Sequence, residues 1–154
     1  MMNSRNEMEL TFPSLPENEA FARVVIAAFA VQLSPTVNDM ADVKTAVSEA
    51  VTNAIVHGYE SRIGRILMRA TIENDHTIAV EVQDWGKGIQ DVQQALEPFF
   101  TTQPEQERSG MGFAVMQTFM DSVEVESSPG KGTLVRMKKR IRIPVRTEKP
   151  AGMM

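Results

Sequence analysis

The sequence predicts an α+β domain, a two-layer sandwich in which helices cover one face of a mixed, mainly antiparallel sheet. Three observations support this fold class. Two early stretches carry apolar residues at helical spacing, two pairs of alternating stretches are each joined by a short polar turn, and a long loop separates the two pairs. The chain has 154 residues, a length typical of one domain with one hydrophobic core.

The first two elements are a short strand and an apolar helix. MELTF, residues 8–12, fits an edge strand, and residues 14–17 resemble a capping box that opens a helix running to about Leu33. Between residues 20 and 31 this helix carries a single charge, Arg23. A helix that is apolar nearly all round must be covered on more than one side, either within the core or at a subunit interface.

A second helix is predicted over about residues 39–57, and it carries a polar stripe. Its apolar residues recur at helical spacing up to the stop signal at Gly58. Glu49, Asn53 and His57 interrupt that pattern at a spacing of four, and four residues advance a helix by about 400°. The three side chains therefore form one line, which indicates a polar ligand beside it. His57 also fits a C-terminal cap of the helix.

Two hairpins complete the predicted sheet. The first joins strands near residues 65–73 and 77–84, and the second joins strands near residues 122–127 and 133–139. Apolar residues of the second strand alternate onto one face, and Asp84 continues the same parity. Its carboxylate should therefore face the core at the end of that strand.

A long aperiodic segment lies between the two hairpins. A weak helix is expected near residues 90–96, a loop over about residues 97–112, and a further helix over residues 113–120. Loops of this length are usually functional or disordered, and we expect a lid over a binding site.

Composition and charge narrow the classes of site and partner. The formal net charge of −4 disfavours direct nucleic-acid binding, and the absence of cysteine excludes disulfides and thiolate metal sites. The N-terminus shows no signal-peptide pattern and no apolar run is long enough to span a bilayer, so we expect a cytoplasmic protein without membrane contact. Residues 1–143 are expected to form the domain and residues 144–154 a flexible C-terminal tail.

The stretch DWGKG, residues 84–88, ends a strand with a core-facing carboxylate and two glycines. Gly86 and Gly88 allow the backbone to turn where a side chain would block a flat ligand. A carboxylate on the core face needs a hydrogen-bond donor, and the amino group of an adenine would provide one. By itself, the stretch also fits an ordinary turn with an aspartate cap.

RSGMGF, residues 108–113, places Gly110 and Gly112 at the start of the third predicted helix. Free amides and the positive end of the helix dipole form an anion site there, and Arg108 would add a charge-assisted contact to a phosphate. The stretch matches neither a P-loop nor a dinucleotide fingerprint. A glycine pair at a helix start is common, so this motif supports a phosphate site only in combination with the motifs at residues 49–57 and 84–88.

The polar stripe fits the same ligand. A magnesium ion bound to phosphates takes only one or two protein oxygens, and the Asn53 amide could supply one. Glu49, one helical turn earlier, could accept a proton from an attacking hydroxyl or water. Without the glycine motifs, Glu49 would be read as a solvated residue and Asn53 as an ordinary buried hydrogen-bonding group.

The order of these motifs resembles the GHKL ATP-binding superfamily, which includes gyrase, histidine kinases and mismatch-repair ATPases. E-x-x-x-N on a helix precedes D-x-G-x-G after a strand, then a threonine-rich loop closes on G-x-G, and Gly132-Thr133 follows in the last hairpin. The resemblance covers about residues 8–140 and implies the Bergerat fold with ATP or ADP and Mg²⁺. SEAVTNAIVHGY, PFFTT and ERSGMGF are similar, more specifically, to the anti-sigma factor serine kinases of spore-forming bacteria, closest to the anti-sigma-F type.

The resemblance implies a role for each matching residue. Glu49 corresponds to the general base, Asn53 to the magnesium ligand, and Asp84 to the carboxylate that reads adenine. Gly86 and Gly88 match the base-binding turn. The other matches belong to the lid, the phosphate cradle and the last hairpin: Thr102, Arg108, Ser109, Gly110, Met111, Gly112 and Thr133.

The function implied by the resemblance is an ATP-dependent switch. A homodimer would bind a sigma factor of the sigma-F type, and it would phosphorylate a serine on an anti-anti-sigma protein. Arg23 is a candidate docking residue for these partners. The alternative is a binding module that uses nucleotide without catalysis. A detached histidine-kinase domain is disfavoured, since the two histidines are His57, in the candidate site, and His76, in a turn.

Overall fold

A computed structural model describes residues 4–97 and 107–142, including the side chains of residues 6–97 and 112–142. The elements follow one another in the predicted order. Their bounds are β1 (Ser4–Pro13), α1 (Glu17–Ala30), α2 (Val37–Asn53), β2 (Arg65–Glu73), β3 (Thr77–Asp84), α3 (Val92–Leu96), α4 (Glu107–Phe119), β4 (Ser122–Ser128) and β5 (Gly132–Arg140). A 3₁₀ turn, Val31–Leu33, follows α1, and a π-helical turn, Ala54–Gly58, continues α2.

The five described strands form one sheet in the order β1-β2-β3-β5-β4. Helices cover one of its faces, so the predicted two-layer sandwich is confirmed. The sheet was expected to be mixed, but every pairing among the described strands is antiparallel. The reason is that β4 lies at the outer edge and β5 returns between β4 and β3, in the direction opposite to β3.

The core lies between the inner face of the sheet and the helices α1, α2 and α4. Alternate residues of β2 and β3 are fully buried there, namely Ile66, Met68, Ala70, Ile72, Ile78 and Val80. Helix α2 packs between α1 and α4 and also contacts β3. Because side chains alternate along a strand, Asp84 shares the buried face of β3. The predicted burial of its carboxylate is confirmed, since Asp84 is only 5% exposed.

The opposite face of the sheet carries a row of ion pairs across its strands. Arg69 lies 3.0 Å from Glu9 and 3.4 Å from Glu81, and Arg136 lies 2.8 Å from Glu81 and 2.7 Å from Glu126. These side chains are partly exposed, so each pair contributes no more than about 1 kcal/mol to stability. This face is therefore charged and solvated, and the core is confined to the helical side.

The start of α1 differs from the predicted capping box. The residue before the helix is Pro16, and no side chain caps the first turn. The Ser14 hydroxyl is engaged elsewhere, because it accepts the Gly64 N–H at 2.9 Å and donates to the Arg62 carbonyl oxygen at 3.4 Å. Ser14 thus ties the end of β1 to the loop before β2. The predicted edge strand at residues 8–12 is confirmed and extended to Ser4–Pro13.

Two further helix boundaries differ from those predicted. Helix α2 begins two residues earlier, where the Thr36 hydroxyl accepts the Asp39 N–H at 3.0 Å, and its last turn widens into the π-helical turn. Helix α4 begins at Glu107, whereas the sequence predicted a loop up to residue 112. Glycines are poor helix formers, but packing of α4 on α2 outweighs that propensity here. In the described part of the chain, no helix is long and apolar enough to cross a bilayer.

Candidate functional site

An open cleft of about 990 Å³ lies between the end of α2, the end of β3 and β5. Its lining includes Asn53 and His57 from α2 and the π-helical turn, Asp84 from β3, Gly88, and Thr133 from β5. Apolar side chains such as Val82, Phe113 and Val135 form part of the wall, and residues 89–95, which lead into α3, form a further and more polar part. The fold therefore brings four predicted site residues that are far apart in sequence to one concave surface, namely Asn53, Asp84, Gly88 and Thr133. His57, which was expected mainly as a helix cap, lies on the same surface.

The Asp84 carboxylate is a buried acceptor at the wall of the cleft. Its Oδ1 accepts the Gly86 N–H at 2.9 Å. Burial raises the pKa of Asp84, and the backbone amides of Gly86 and Thr133 lower that pKa in part. A Cβ at position 58 would lie 2.9 Å from the carboxylate, so Gly58 makes room for it. A buried carboxylate held in this way can accept a hydrogen bond from a ligand with little movement of its side chain.

The turn from Asp84 to Gly88 is held by backbone hydrogen bonds on both sides. The Lys87 N–H donates to the Gly58 carbonyl oxygen at 2.9 Å, and the Lys87 carbonyl oxygen accepts the Gly130 N–H at 2.6 Å. A Cβ at Gly86 would overlap Gly58, and one at Gly88, where φ is +76°, would overlap Ser128. The two glycines thus make room for neighbouring backbone, whereas the sequence indicated room for a flat ligand; of the two, only Gly88 belongs to the described lining of the cleft.

Thr133 belongs to a small hydroxyl network beneath this turn. Its Oγ1 lies 2.8 Å from the Ser127 Oγ, which donates to the Gly132 carbonyl oxygen and accepts the Ile89 N–H at 2.7 Å. Sequence reasoning found Thr133 and missed Ser127. The signal for Ser127 was its place opposite Thr133, which follows only when the register of the β4–β5 hairpin is known.

Asn53 faces the cleft beside Gly112 of α4. Its Nδ2 atom is buried and has no hydrogen-bond partner among the described residues. A Cβ at position 112 would lie 2.8 Å from that nitrogen, so the glycine makes room for the Asn53 amide between the two helices. A buried amide without a partner is costly unless a ligand completes its bonding. The pair therefore marks a place where a polar ligand would bind.

The donor set around Asn53 fits a magnesium ion bound to phosphates. The described residues contain no group of three or more His, Asp or Glu side chains that could enclose a metal. Mg²⁺ commonly takes one or two protein oxygens and completes its octahedron with water and substrate phosphates. A single amide oxygen, that of Asn53, in the lining of an open cleft matches that mode of binding.

Glu49 lies one helical turn before Asn53 and is not part of the described lining of the cleft. Its side chain is half-buried toward α1. Burial raises the pKa of Glu49, and the negative charge of Glu19 raises it further. Glu19 itself pairs with Arg23, whose Nε lies 3.5 Å from the Glu19 Oε2. The structure thus places the candidate base next to the helix that carries the candidate docking residue.

His57 lines the cleft at the end of the polar stripe. Burial lowers the pKa of His57, the positive charge of Lys87 lowers it further, and Glu60 opposes the shift. The neutral imidazole is therefore favoured near neutral pH, and in that form one ring nitrogen donates a hydrogen bond and the other accepts one. The stripe of Glu49, Asn53 and His57 is real, but only its last two members face the cleft.

The predicted phosphate cradle is described only in part. Thr102 lies outside the described residues, and the side chains of Arg108, Ser109 and Met111 are not described. The backbone of residues 108–112 is helical, because α4 begins at Glu107. Within this helix the N–H groups without intrahelical partners are therefore those of residues 107–109, which precede the glycine pair where the sequence placed them. The phosphate role of this segment stays a prediction.

Comparison with known proteins gives concordant matches. A family model described as a histidine kinase-like ATPase domain matches residues 12–139. An anti-sigma F factor from Caldanaerobacter subterraneus subsp. tengcongensis is 63% identical over 140 residues, which cover 91% of this chain and 97% of the relative. An anti-sigma F factor from Bacillus subtilis is 50% identical over 138 residues, covering 89% and 94% respectively.

Solved structures share the fold. The RsbU and RsbW domains of a Mycobacterium tuberculosis protein match with a TM-score of 0.70 at 20% identity, over 94% of this chain and 35% of that chain. A histidine kinase domain from Erythrobacter litoralis matches with a TM-score of 0.54 at 18% identity, over 80% of this chain and 60% of that chain. At such identities the likeness concerns the arrangement of helices and strands alone.

Proposed function

This chain belongs to the anti-sigma F factor family of histidine kinase-like ATPases, and we propose that it is an ATP-dependent protein serine kinase that also sequesters a sigma factor. The observation that carries the proposal is the shared cleft. Asn53, Asp84 and Thr133 line one open space of about 990 Å³, and Gly112 lies against the Asn53 amide. A nucleotide needs such a site, with an acceptor for its base at one end and a place for its metal-bound phosphates at the other.

The base of the nucleotide would bind at the Asp84 end. The buried carboxylate would accept the amino group of adenine, while the clamped turn with Gly86 and Gly88 would form the edge of the pocket. Thr133 and its hydroxyl network would line the floor. The low exposure of Asp84 supports this assignment, because a hydrogen bond to a charged group away from water discriminates strongly between bases.

The phosphates would lie toward Asn53 and the start of α4. Asn53 would hold Mg²⁺ through its amide oxygen, and when bound the metal supplies neutralisation of phosphate charge. Arg108 would pair with the terminal phosphates, with backbone support from the N–H groups in the first turn of α4, which includes Ser109. Thr102 would contribute from the segment that precedes α4. These roles rest on the motif and on the position of Gly112 beside Asn53.

Glu49 would act as general base toward the serine hydroxyl of the acceptor. Its raised pKa supports this role, because a carboxylate of higher pKa is a stronger base. Positioning of the serine and the terminal phosphate would supply most of the remaining rate enhancement. Since Glu49 lies outside the described cleft lining, the acceptor would approach from the side of α1.

The partner-binding surface would include α1. Phe21, Val24 and Val31 are 49%, 64% and 60% exposed, and they lie along one side of α1 and the following turn. Such an apolar stripe is typical of an interface and supports the proposed homodimer. Arg23 is partly exposed within the same helix and would dock acidic side chains of the sigma factor or of the anti-anti-sigma protein.

The decisive experiment combines the purified protein and Mg-ATP with a sigma-F type factor and with an anti-anti-sigma protein. Phosphoserine is expected on the anti-anti-sigma protein, and a stable complex is expected with the sigma factor. The variant Glu49→Gln should keep ATP binding and lose phosphoryl transfer by about 10²-fold or more. Full transfer by this variant would refute the assigned base, and absence of transfer by the parent protein would favour a nucleotide-gated binding module.

A further inference from the structure

We propose that the Tyr59 hydroxyl is the group that positions the turn from Asp84 to Gly88 for recognition of the nucleotide base. The inference rests on the proposed function, because it concerns how the same cleft selects its nucleotide. Tyr59 directly follows the π-helical turn at the end of α2 and is only 6% exposed. It lies behind the turn and does not line the described cleft.

The Tyr59 phenol joins the turn to the start of β2. Its oxygen accepts the Trp85 N–H at 2.8 Å and donates to the Arg65 carbonyl oxygen. The Trp85 N–H belongs to the peptide unit that leaves Asp84. The next N–H, that of Gly86, donates to the Asp84 carboxylate at 2.9 Å. By fixing the first of these two amides, Tyr59 fixes the backbone from which the carboxylate projects.

The aromatic ring is itself held in place. A Cβ at Gly64 would overlap the ring, so the loop before β2 packs directly against it. The Tyr59 N–H donates to the Ala54 carbonyl oxygen at 3.1 Å, across the five-residue π-helical turn. In addition, the Gly58 carbonyl oxygen accepts the Lys87 N–H at 2.9 Å. Two consecutive residues, 58 and 59, therefore bond the end of α2 to the turn after β3.

The π-helical turn explains why Tyr59 can reach the turn. A π-helical turn adds one residue per turn relative to an α-helix, which changes the direction of every side chain that follows it. Asn53 precedes this turn and faces the cleft, whereas Tyr59 follows it and points behind Asp84. The end of this one helix therefore carries Asn53 on the phosphate side of the cleft and Tyr59 behind the turn on the base side.

The far end of the turn has a different anchor, which provides a matched control. The Ile89 N–H donates to the Ser127 hydroxyl at 2.7 Å, with no involvement of Tyr59. Loss of the Tyr59 hydroxyl should therefore loosen the amides near Asp84 and leave the Ile89 amide protected. Loss of the Ser127 hydroxyl should do the reverse.

The experiment compares Tyr59→Phe and Ser127→Ala with the parent protein. Phenylalanine keeps the ring against Gly64 and removes only the hydroxyl, so folding is checked by the thermal midpoint and by amide exchange of β2. In the protein without nucleotide, Tyr59→Phe should speed hydrogen exchange of the Trp85 amide by about tenfold and leave that of the Ile89 amide unchanged. Ser127→Ala should speed hydrogen exchange of the Ile89 amide and leave that of the Trp85 amide unchanged. Unchanged exchange at Trp85 in the tyrosine variant would overturn the inference.

The second readout is the affinity for ATP and for GTP, measured by calorimetry at constant Mg²⁺. Tyr59→Phe should weaken ATP binding by about tenfold and narrow the preference for ATP over GTP, while the transfer rate at saturating ATP stays near that of the parent. A variant that loses transfer rate but keeps its ATP affinity would also contradict a positioning role at the base. If the parent protein binds no ATP, the proposed function falls, whereas the exchange measurement still tests the role of Tyr59.

Discussion

The replacement Asp84→Asn tests base recognition with almost no change in shape. The carboxylate is 5% exposed and already accepts the Gly86 N–H at 2.9 Å. An asparagine can keep that bond through its Oδ1. Its Nδ2 would then face the amino group of adenine, so that two donors would oppose each other. Loss of one hydrogen bond to a charged group costs about 1.5–3 kcal/mol, which corresponds to an ATP affinity about 10- to 150-fold lower.

The same variant should not be destabilised. Burial raises the pKa of Asp84, so the ionised form is disfavoured in the folded protein relative to the unfolded chain. This cost is fully present above the raised pKa and declines to zero as pH falls from the raised pKa to the ordinary pKa of the unfolded chain; a neutral amide removes it at every pH. The thermal midpoint of Asp84→Asn at neutral pH should therefore equal or exceed that of the parent.

The assay is calorimetric titration with ATP and GTP, combined with thermal unfolding. GTP carries an acceptor where ATP carries the amino group, so the asparagine variant should lose much of its preference for ATP. Glu124→Gln is the control, because it makes the same chemical change at an exposed position of β4. Unchanged ATP affinity in a folded Asp84→Asn variant would refute the assignment of the base to this carboxylate.

Three other predictions concern the phosphate end of the cleft, the candidate catalytic base Glu49 and the proposed dimer interface. Gly112→Ala should weaken Mg-ATP binding by about tenfold or more, because the alanine Cβ would lie 2.8 Å from the Asn53 amide. Alanine has the higher helix propensity, so α4 itself should not be destabilised. Equal affinity of the variant and the parent in a calorimetric titration would contradict this prediction. Glu19→Gln should lower the pKa of Glu49, so the acid limb of the pH profile of phosphoryl transfer should move to lower pH. An acid limb at the same pH in the variant and the parent would exclude electrostatic coupling between Glu19 and Glu49. Val24→Asp should shift the sedimentation profile toward monomer, since this exposed residue lies on the apolar stripe of α1, and an unchanged dimer would place the interface elsewhere.

The regular elements could be predicted from the sequence because their signals are local. The alternation from residue 78 to 82 and its continuation to Asp84 correctly indicated a buried carboxylate at the end of β3. The spacing of Asn53 and His57 correctly indicated two polar groups on one side of a helix. Both features depend only on the repeat of the strand or helix in which they occur.

Other features depend on contacts between distant segments and could not be predicted. Ser14 had a capping pattern, but its hydroxyl bonds to the loop at residues 62–64, which lies beside it only in the folded chain. The π-helical turn after Asn53 has no local signal in the sequence, and the early start of α4 runs against the low helix propensity of its glycines. The proposed role of Tyr59 likewise depends on a contact between distant segments, the hydrogen bond from the Trp85 N–H to its hydroxyl.

The most direct test of the central claim is a crystal structure of the protein with Mg²⁺ and a non-hydrolysable ATP analogue. The account predicts that the amino group of adenine lies within hydrogen-bonding distance of the Asp84 carboxylate. It also predicts that the metal binds the amide oxygen of Asn53. A nucleotide bound outside this cleft, or one whose base lies away from Asp84, would contradict the account.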